Sequence, residues 1–270
     1  MTAARSFIFL LAALVLALPA RSRQQAAAPA QAPAEDENSR RARKIIDQAI
    51  QALGGEAYLN IQDYEYEARS FGFSHGKSGI GAPVWGFWKW PDKDRAEFTK
   101  QRDVIRIYNA ESGWEVTYKG TAPLPPPALA DFKLRREYSL PHILRLWLQS
   151  PGVALFYAGT AVAEQKPAEH VTIYNGPESA DLFLDLDTHL PIKKAFTHRD
   201  PEFHDKDVEE DVWGNYRMVQ GVNTPFDVVS RHNGEIIAQR FISRITYNKG
   251  LPDSLFTPRN PVPMLPPTKQ

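Results

Sequence analysis

From Ala42 the apolar residues Ile45, Ile46, Ala49, Ile50 and Leu53 recur at i, i+3, i+4 spacing, which places them on one face of a helix. Asn38 or Ser39 offers an N-cap and Gly54 a stop, so the pattern predicts one amphipathic helix of about four turns. Beyond it the period drops to two. Strands are expected over 64–73, 84–90, 95–100, 104–109 and 114–119, with "DKD", "QRD" and "AESG" as short turns of an antiparallel meander. Next comes "TAPLPPPALA", whose prolines exclude a central strand and lead into a helix. The helical pattern over 128–149 is interrupted at Pro141. It predicts two short helices, the second carrying Ile143, Leu144 and Trp147 on a common stripe.

Strand patterns return over 154–159, 170–174, 182–187, 192–197, 208–219, 225–231 and 235–247. In "RHNGE", Asn233 and Gly234 form the pair that a type I′ hairpin demands. About a dozen consecutive strands with one leading helix and one central helical pair predict an α+β fold. Its architecture is a large curved antiparallel sheet, an incomplete β-barrel, with the N-terminal helix and the helical pair covering the concave face. No fixed-period repeat is visible, which argues against solenoids and propellers.

The stretch "VWGFWKW" (84–90) holds four aromatic side chains and three of the chain's six tryptophans. As a strand it turns Val84, Gly86, Trp88 and Trp90 to one side and Trp85, Phe87 and Lys89 to the other. Both sides are apolar, and burying one such side chain is worth roughly 1.5–3 kcal/mol, so each face needs a cover. One cover is the domain's own core. The other is the functional question.

The opening "MTAARSFIFLLAALVLALPA" pairs Arg5 with an apolar run from Phe7 to Leu18, a length that suits a secretory signal peptide better than a membrane span. Cleavage is expected after Ala20 or Ala30. Residues 1–30 then form signal and leader, 31–38 a disordered linker of Ala, Pro, Gln and acid, 39–259 the folded domain and 260–270 a proline-rich tail. Residues 1–30 hold three arginines and no acid, so the remainder carries 29 basic against 32 acidic side chains. That balance argues against a nucleic-acid partner. With no cysteine the chain has neither disulfides, nor a thiolate nucleophile, nor a lipid-acceptor thiol. A soluble, monomeric protein of the periplasm or the cell exterior is expected.

Candidate chemistry is sparse. "HGKSG" (75–79) matches only the end of a phosphate-binding loop, because Phe71 stands where the first glycine is required, and an inter-strand loop is preferred. "HRDPEFHDKDVEED" (198–211) concentrates His198, His204, Asp200 and further acids, a donor set of the kind that holds zinc. Its spacing matches no signature such as H-E-x-x-H, and an acidic, solvated loop is the preferred reading. A metal-dependent enzyme or metal-binding module on these residues stands as the alternative, and a structural envelope protein packing its sheet on a partner as a third. Asp185 and Asp187 share a strand face, where like charges raise a pKa, although strand-end acids more often face water. No G-x-S-x-G motif occurs, and no cofactor is called for.

The aromatic group carries more. Phe71, Phe73, Trp85, Phe87, Trp88 and Trp90 fall on strands that neighbour one another in a meander, and with Ile143 and Trp147 of the helical pair they are the candidate walls of an apolar cavity. The stretches "ARKIIDQAIQALGGEAYLNIQDYEYEA", "LFLDLDTHLPIKKAF", "YRMVQGVNTPFDVV" and "RITYNKGLPDSLFTP" resemble the periplasmic lipoprotein-carrier superfamily, the LolA-like proteins, and in particular the divergent outer-membrane lipoprotein-sorting proteins. This resemblance implies an incomplete barrel closed by helices and a hydrophobic cavity for acyl chains of lipoproteins or another lipid-like ligand. It also implies weak holding of that ligand, transient contact with a membrane or an envelope protein, and no catalysis. Arg69 is the candidate for the carriers' functional arginine.

Overall fold

The computed structural model describes residues 36–200, 203 and 205–258. The expected signal peptide and leader, the linker as far as residue 35, Arg259 and the proline-rich tail lie outside the described residues. Helix α1 (Glu37–Leu53) and a single turn, α2 (Glu56–Leu59), lead the fold. Then come β1 (Asp63–Ser74), β2 (Lys77–Ser78), β3 (Ala82–Lys89), β4 (Lys93–Phe98), β5 (Val104–Asn109), β6 (Ser112–Thr117) and β7 (Gly120–Pro123). Helices α3 (Pro126–Glu137) and α4 (Leu140–Arg145) and a 3-10 turn (Trp147–Gln149) separate these from the second run. That run is β8 (Ala154–Ala163), β9 (Lys166–Asn175), β10 (Glu178–Asp185), β11 (Pro191–Arg199), β12 (Lys206–Val219), β13 (Val222–His232) and β14 (Glu235–Tyr247), with a final 3-10 turn at Asp253–Phe256.

The strands form one 14-stranded sheet in the order β7-β6-β5-β4-β3-β1-β14-β13-β12-β11-β10-β9-β8, with β2 appended to β1. Every pairing is antiparallel. Each run is a meander, and the two are joined where the first strand meets the last, Tyr64 opposite Tyr247 and Ser70 opposite Arg240. β7 and β8 are the two ends of the order, so the sheet is an unclosed half-barrel. β7 takes in the start of "TAPLPPP", which the sequence reads as a loop; it is an edge strand and not a central one, and an edge tolerates a missing N–H donor.

The helices lie on one face, here called inner. α1 starts earlier than its spacing predicts. Asp36 is the N-cap, accepting the Ser39 N–H at 2.6 Å, and this bond holds its carboxyl below the usual range. Asn38 is thereby free for β8, where its amide exchanges two hydrogen bonds with the Tyr157 backbone at 2.9 and 2.7 Å. The α1 residues Ala42, Ile46 and Ala49 pack against Leu155, Val171, Ile173, Leu182 and Leu184 of β8 to β10, all buried. The helical interruption falls at Tyr138 and Ser139, with Pro141 inside the first turn of α4, where its absent N–H costs nothing. No helix among the described residues is long and apolar enough to cross a membrane.

Both faces of "VWGFWKW" do find covers, and they differ. On the inner side Trp88 stacks on Tyr64 at 4.9 Å between ring centroids. On the outer side Phe87 packs with Ile107 and Trp114 beneath Leu251, Leu255 and Phe256 of the C-terminal segment, while the Arg102 guanidinium lies 5.1 Å above the Trp85 ring. Gly86 serves the inner side. A β-carbon there would sit 2.0 Å from the Tyr66 ring, so the missing side chain lets that ring lie flat on the strand opposite it.

Candidate functional site

Where α4 crosses β1, β14, β13 and β12, the inner face is not filled. A cavity of about 360 Å³ remains, within the usual span of small-molecule sites. Leu53, Tyr58 and Ile61 bound it on the side of α1 and α2, and Ser139, Leu140, Pro141 and Arg145 roof it. The sheet contributes Tyr64 and Tyr66 of β1, Trp88 of β3, Ile242, Ile245 and Tyr247 of β14, Val228 of β13, and Trp213 and Tyr216 of β12. Alternation explains this membership, because these are the inward residues of registered strand pairs. Many keep partial exposure, as expected where side chains border space instead of one another.

The roof is fastened at both ends. Arg145 donates to the Ile61 carbonyl at 2.8 Å and lies 3.7 Å over the Trp90 ring. Arg135 of α3 pairs with buried Glu209 of β12 at 2.9 Å. Burial raises the phenol pKa of Tyr64, Tyr66 and Tyr216, and lifts that of Tyr247 to about 12. The tyrosines of the wall are therefore neutral at physiological pH.

One part of the wall is polar. Ser70, Asp211, Ser230, Ala238 and Arg240 occupy adjacent positions on β1, β12, β13 and β14. Asp211 is compensated there: it accepts from Lys194 at 2.7 Å and from Ser230 at 2.9 Å. These contacts outweigh its burial and hold its carboxyl below the usual range. Asp94 of β4, beside the same group, is different, since burial pushes its carboxyl up to about 6 despite the attraction of Arg240. Among the described residues, four buried side-chain atoms have no hydrogen-bond partner, and two of them, Tyr58 Oη and Arg240 Nε, belong to residues of this wall.

The eight aromatic and apolar residues singled out by sequence do not share one site. Trp88 lines the cavity. Trp90 stands behind it, between Arg145 and the His142 ring. Ile143 and Trp147 are buried in the main core, Trp147 donating to Glu137 at 3.1 Å. Trp85 and Phe87 face the outer side, around a separate depression with Glu97 and Arg102. Phe71 is on that side too, edge-on to Phe241, and Phe73 follows it two residues on in the same strand. Arg69 is exposed and outward, its guanidinium 5.9 Å from the Phe71 ring.

The other candidates resolve into turns and ion pairs. "HGKSG" is a hairpin in which β2 pairs with the end of β1. Asp185 accepts from the Asp187 and Thr188 N–H groups and the Thr188 hydroxyl. Its burial would raise the carboxyl, but these bonds prevail and lower it, the reverse of the like-charge effect. His204 lies outside the described residues. Asp200 sits at the β11–β12 turn, where its N–H donates to the Asp205 carbonyl, and His198 Nε2 lies 3.5 Å from Glu209, which also accepts from His232 at 2.7 Å. No group of three or more metal-ligating side chains is assembled among the described residues.

Sequence reasoning missed the wall's tyrosines and Arg240. Their signals were present: "DYEYEA" alternates ring and acid, which sends Tyr64 and Tyr66 to one face, and in "EIIAQRFI" Arg240 is a charge on the face it shares with the apolar Ala238 and Ile242.

No family model and no curated protein matches this sequence. Solved structures do match its fold. A DUF1329-family protein from Desulfovibrio piger superposes with a TM-score of 0.55 at 12% identity, over 80% of this chain and 97% of that one. A LolA-superfamily protein from Nitrosomonas europaea gives 0.51 at 10% identity, over 80% and 97%. A putative outer-membrane lipoprotein-sorting protein domain from Vibrio parahaemolyticus gives 0.50 at 12% identity, over 81% and 97%. At such identities the likeness is one of architecture: the open antiparallel sheet with its leading helix and helical roof is the LolA-like fold.

Proposed function

We propose that this protein is an exported, non-enzymatic carrier or binder of a lipid-like molecule, held without covalent bonds between the inner sheet face and α4. The observation that carries the reading is the unfilled, ring-lined cavity itself, because an apolar wall of this kind is expected to exclude water and reward a greasy guest. The LolA-like architecture agrees with it, as does the N-terminal pattern of a secretory signal, which points to the periplasm. Acyl chains of lipoproteins belong to the same ligand class. The cavity's volume, low in the usual range, favours one chain over several.

Native mass spectrometry of gently purified protein should show co-purified acyl species, and a dansyl-labelled fatty acid should brighten on binding. A protein that emerges empty and leaves the dansyl probe dark would end the proposal.

A further inference from the structure

Arg240 differs from most arginines of the sheet in lacking an ion pair, and from Arg69, Arg199 and Arg217, which also make none among the described residues, in not being exposed. Arg95 and Arg102 share Glu97, Arg231 takes Glu164, and Arg244 takes Glu67. Arg240 makes no ion pair within 4.0 Å among the described residues, its Nε is buried and unbonded, and its nearest ring contact is Tyr66 at 5.2 Å. Asp94 and Asp211 attract it from beyond 4.0 Å, yet neither bonds the buried Nε, and a buried donor left without an acceptor is costly. The neighbouring Asp211 makes no ion pair with it within 4.0 Å, its oxygens being taken by Lys194 and Ser230. Arg145, the other arginine of the wall, is satisfied by the Ile61 carbonyl and Trp90. Arg240 alone therefore presents an unspent guanidinium to the cavity, beside the Ser70 hydroxyl and a short distance along β14 from the apolar Ile242 and Ile245.

From this juxtaposition we infer that the ligand is an amphiphile with an anionic head, a carboxylate or a phosphate at the end of an acyl chain, and that Arg240 receives that head while the rings take the chain. The inference rests on the carrier reading and sharpens it. Guanidinium suits both head groups, since its planar fork donates two parallel hydrogen bonds to either anion. A neutral lipid of equal chain length would leave the cation bare. The site thus selects by head group at one end and is permissive about the chain at the other, because apolar contact discriminates weakly between chain lengths.

The test is competition against dansyl-undecanoic acid on the whole mature protein, with oleate, 1-oleoyl lysophosphatidate and oleyl alcohol as competitors of one chain length. At least one of the two anions should displace the probe about tenfold more tightly than the alcohol, a difference expected of one charge-assisted contact. The tighter anion identifies the head group. Arg240→Met should remove the anion's advantage over the alcohol, read as the ratio of their inhibition constants, and Arg240→Lys should restore part of it. Equal affinity for acid and alcohol in the native protein, which needs no variant, would overturn the head-group assignment while leaving the carrier standing. Failure of all three to bind would overturn both.

Discussion

The inner face of the sheet is built in two ways. Over β8 to β10 it is covered by α1, and Val171, Ile173 and Leu182 have no measurable exposure, like Ala168 nearby. Ala168 belongs to the outer face of that region, so the packing there is dense on both sides. Over β1, β12, β13 and β14 the same face carries tyrosines, tryptophans and an arginine around a space. Aliphatic side chains interdigitate under a long helix, whereas rigid rings under the six-residue α4 cannot close the gap. One half of the sheet supplies stability and the other supplies room.

This contrast can be broken by substitution. Leu182→Ala, in the packed half, should cost about 2–5 kcal/mol in denaturant unfolding, because it opens a new cavity in a region with no slack. Gly86→Ala should cost less, about 1–3 kcal/mol, since the Tyr66 ring can swing toward the void. The displaced ring should occupy the cavity, so the same variant is expected to bind the dansyl probe more weakly. If Gly86→Ala were neutral in both respects, the close approach of Tyr66 would not matter.

Asp94 sharpens the comparison through pH. It faces Arg240 of β14, Tyr64 and Tyr66 of β1, and Tyr108 of β5. The folded protein keeps its proton up to about 6, whereas the ordinary value is 3.8, so ionisation opposes folding. Its contribution is favourable below the ordinary value and declines as pH rises toward about 6. Asp94→Asn should therefore gain on the order of 1–2 kcal/mol at pH 7, partial exposure and the lost attraction to Arg240 having reduced the effect. The gain should vanish at pH 4, as unfolding at the two pH values would show. The smallest change is expected for Ile245→Ala. Because Ile245 already borders empty space, the loss should stay below about 1 kcal/mol, while ligand affinity shifts measurably.

The architecture was legible because it depends on period and punctuation. α1 followed from the spacing of Ile45, Ile46, Ala49, Ile50 and Leu53, and the β13–β14 hairpin from Asn233 and Gly234, whose φ angles of 50° and 82° are those the turn requires. The site was less legible. Alternation correctly separated Trp88 from Trp85 and Phe87, yet which face holds the void depends on what covers each one. The outer cover comes from Leu251 to Phe256, more than 150 residues away, and no local pattern announces it. Arg240 was overlooked because its significance lies in a missing partner, a property of three-dimensional neighbours.

The joining of β1 to β14 also dictates the order of events in folding. A chain made from its N-terminus can complete each meander from local contacts, but the seam between them waits for the last strand, across a loop whose closure is entropically slow. Tyr66 and Arg240 meet only at that seam, so the cavity wall is incomplete in nascent or truncated protein. On the carrier reading, a guest can be taken up only after β14 has docked on β1.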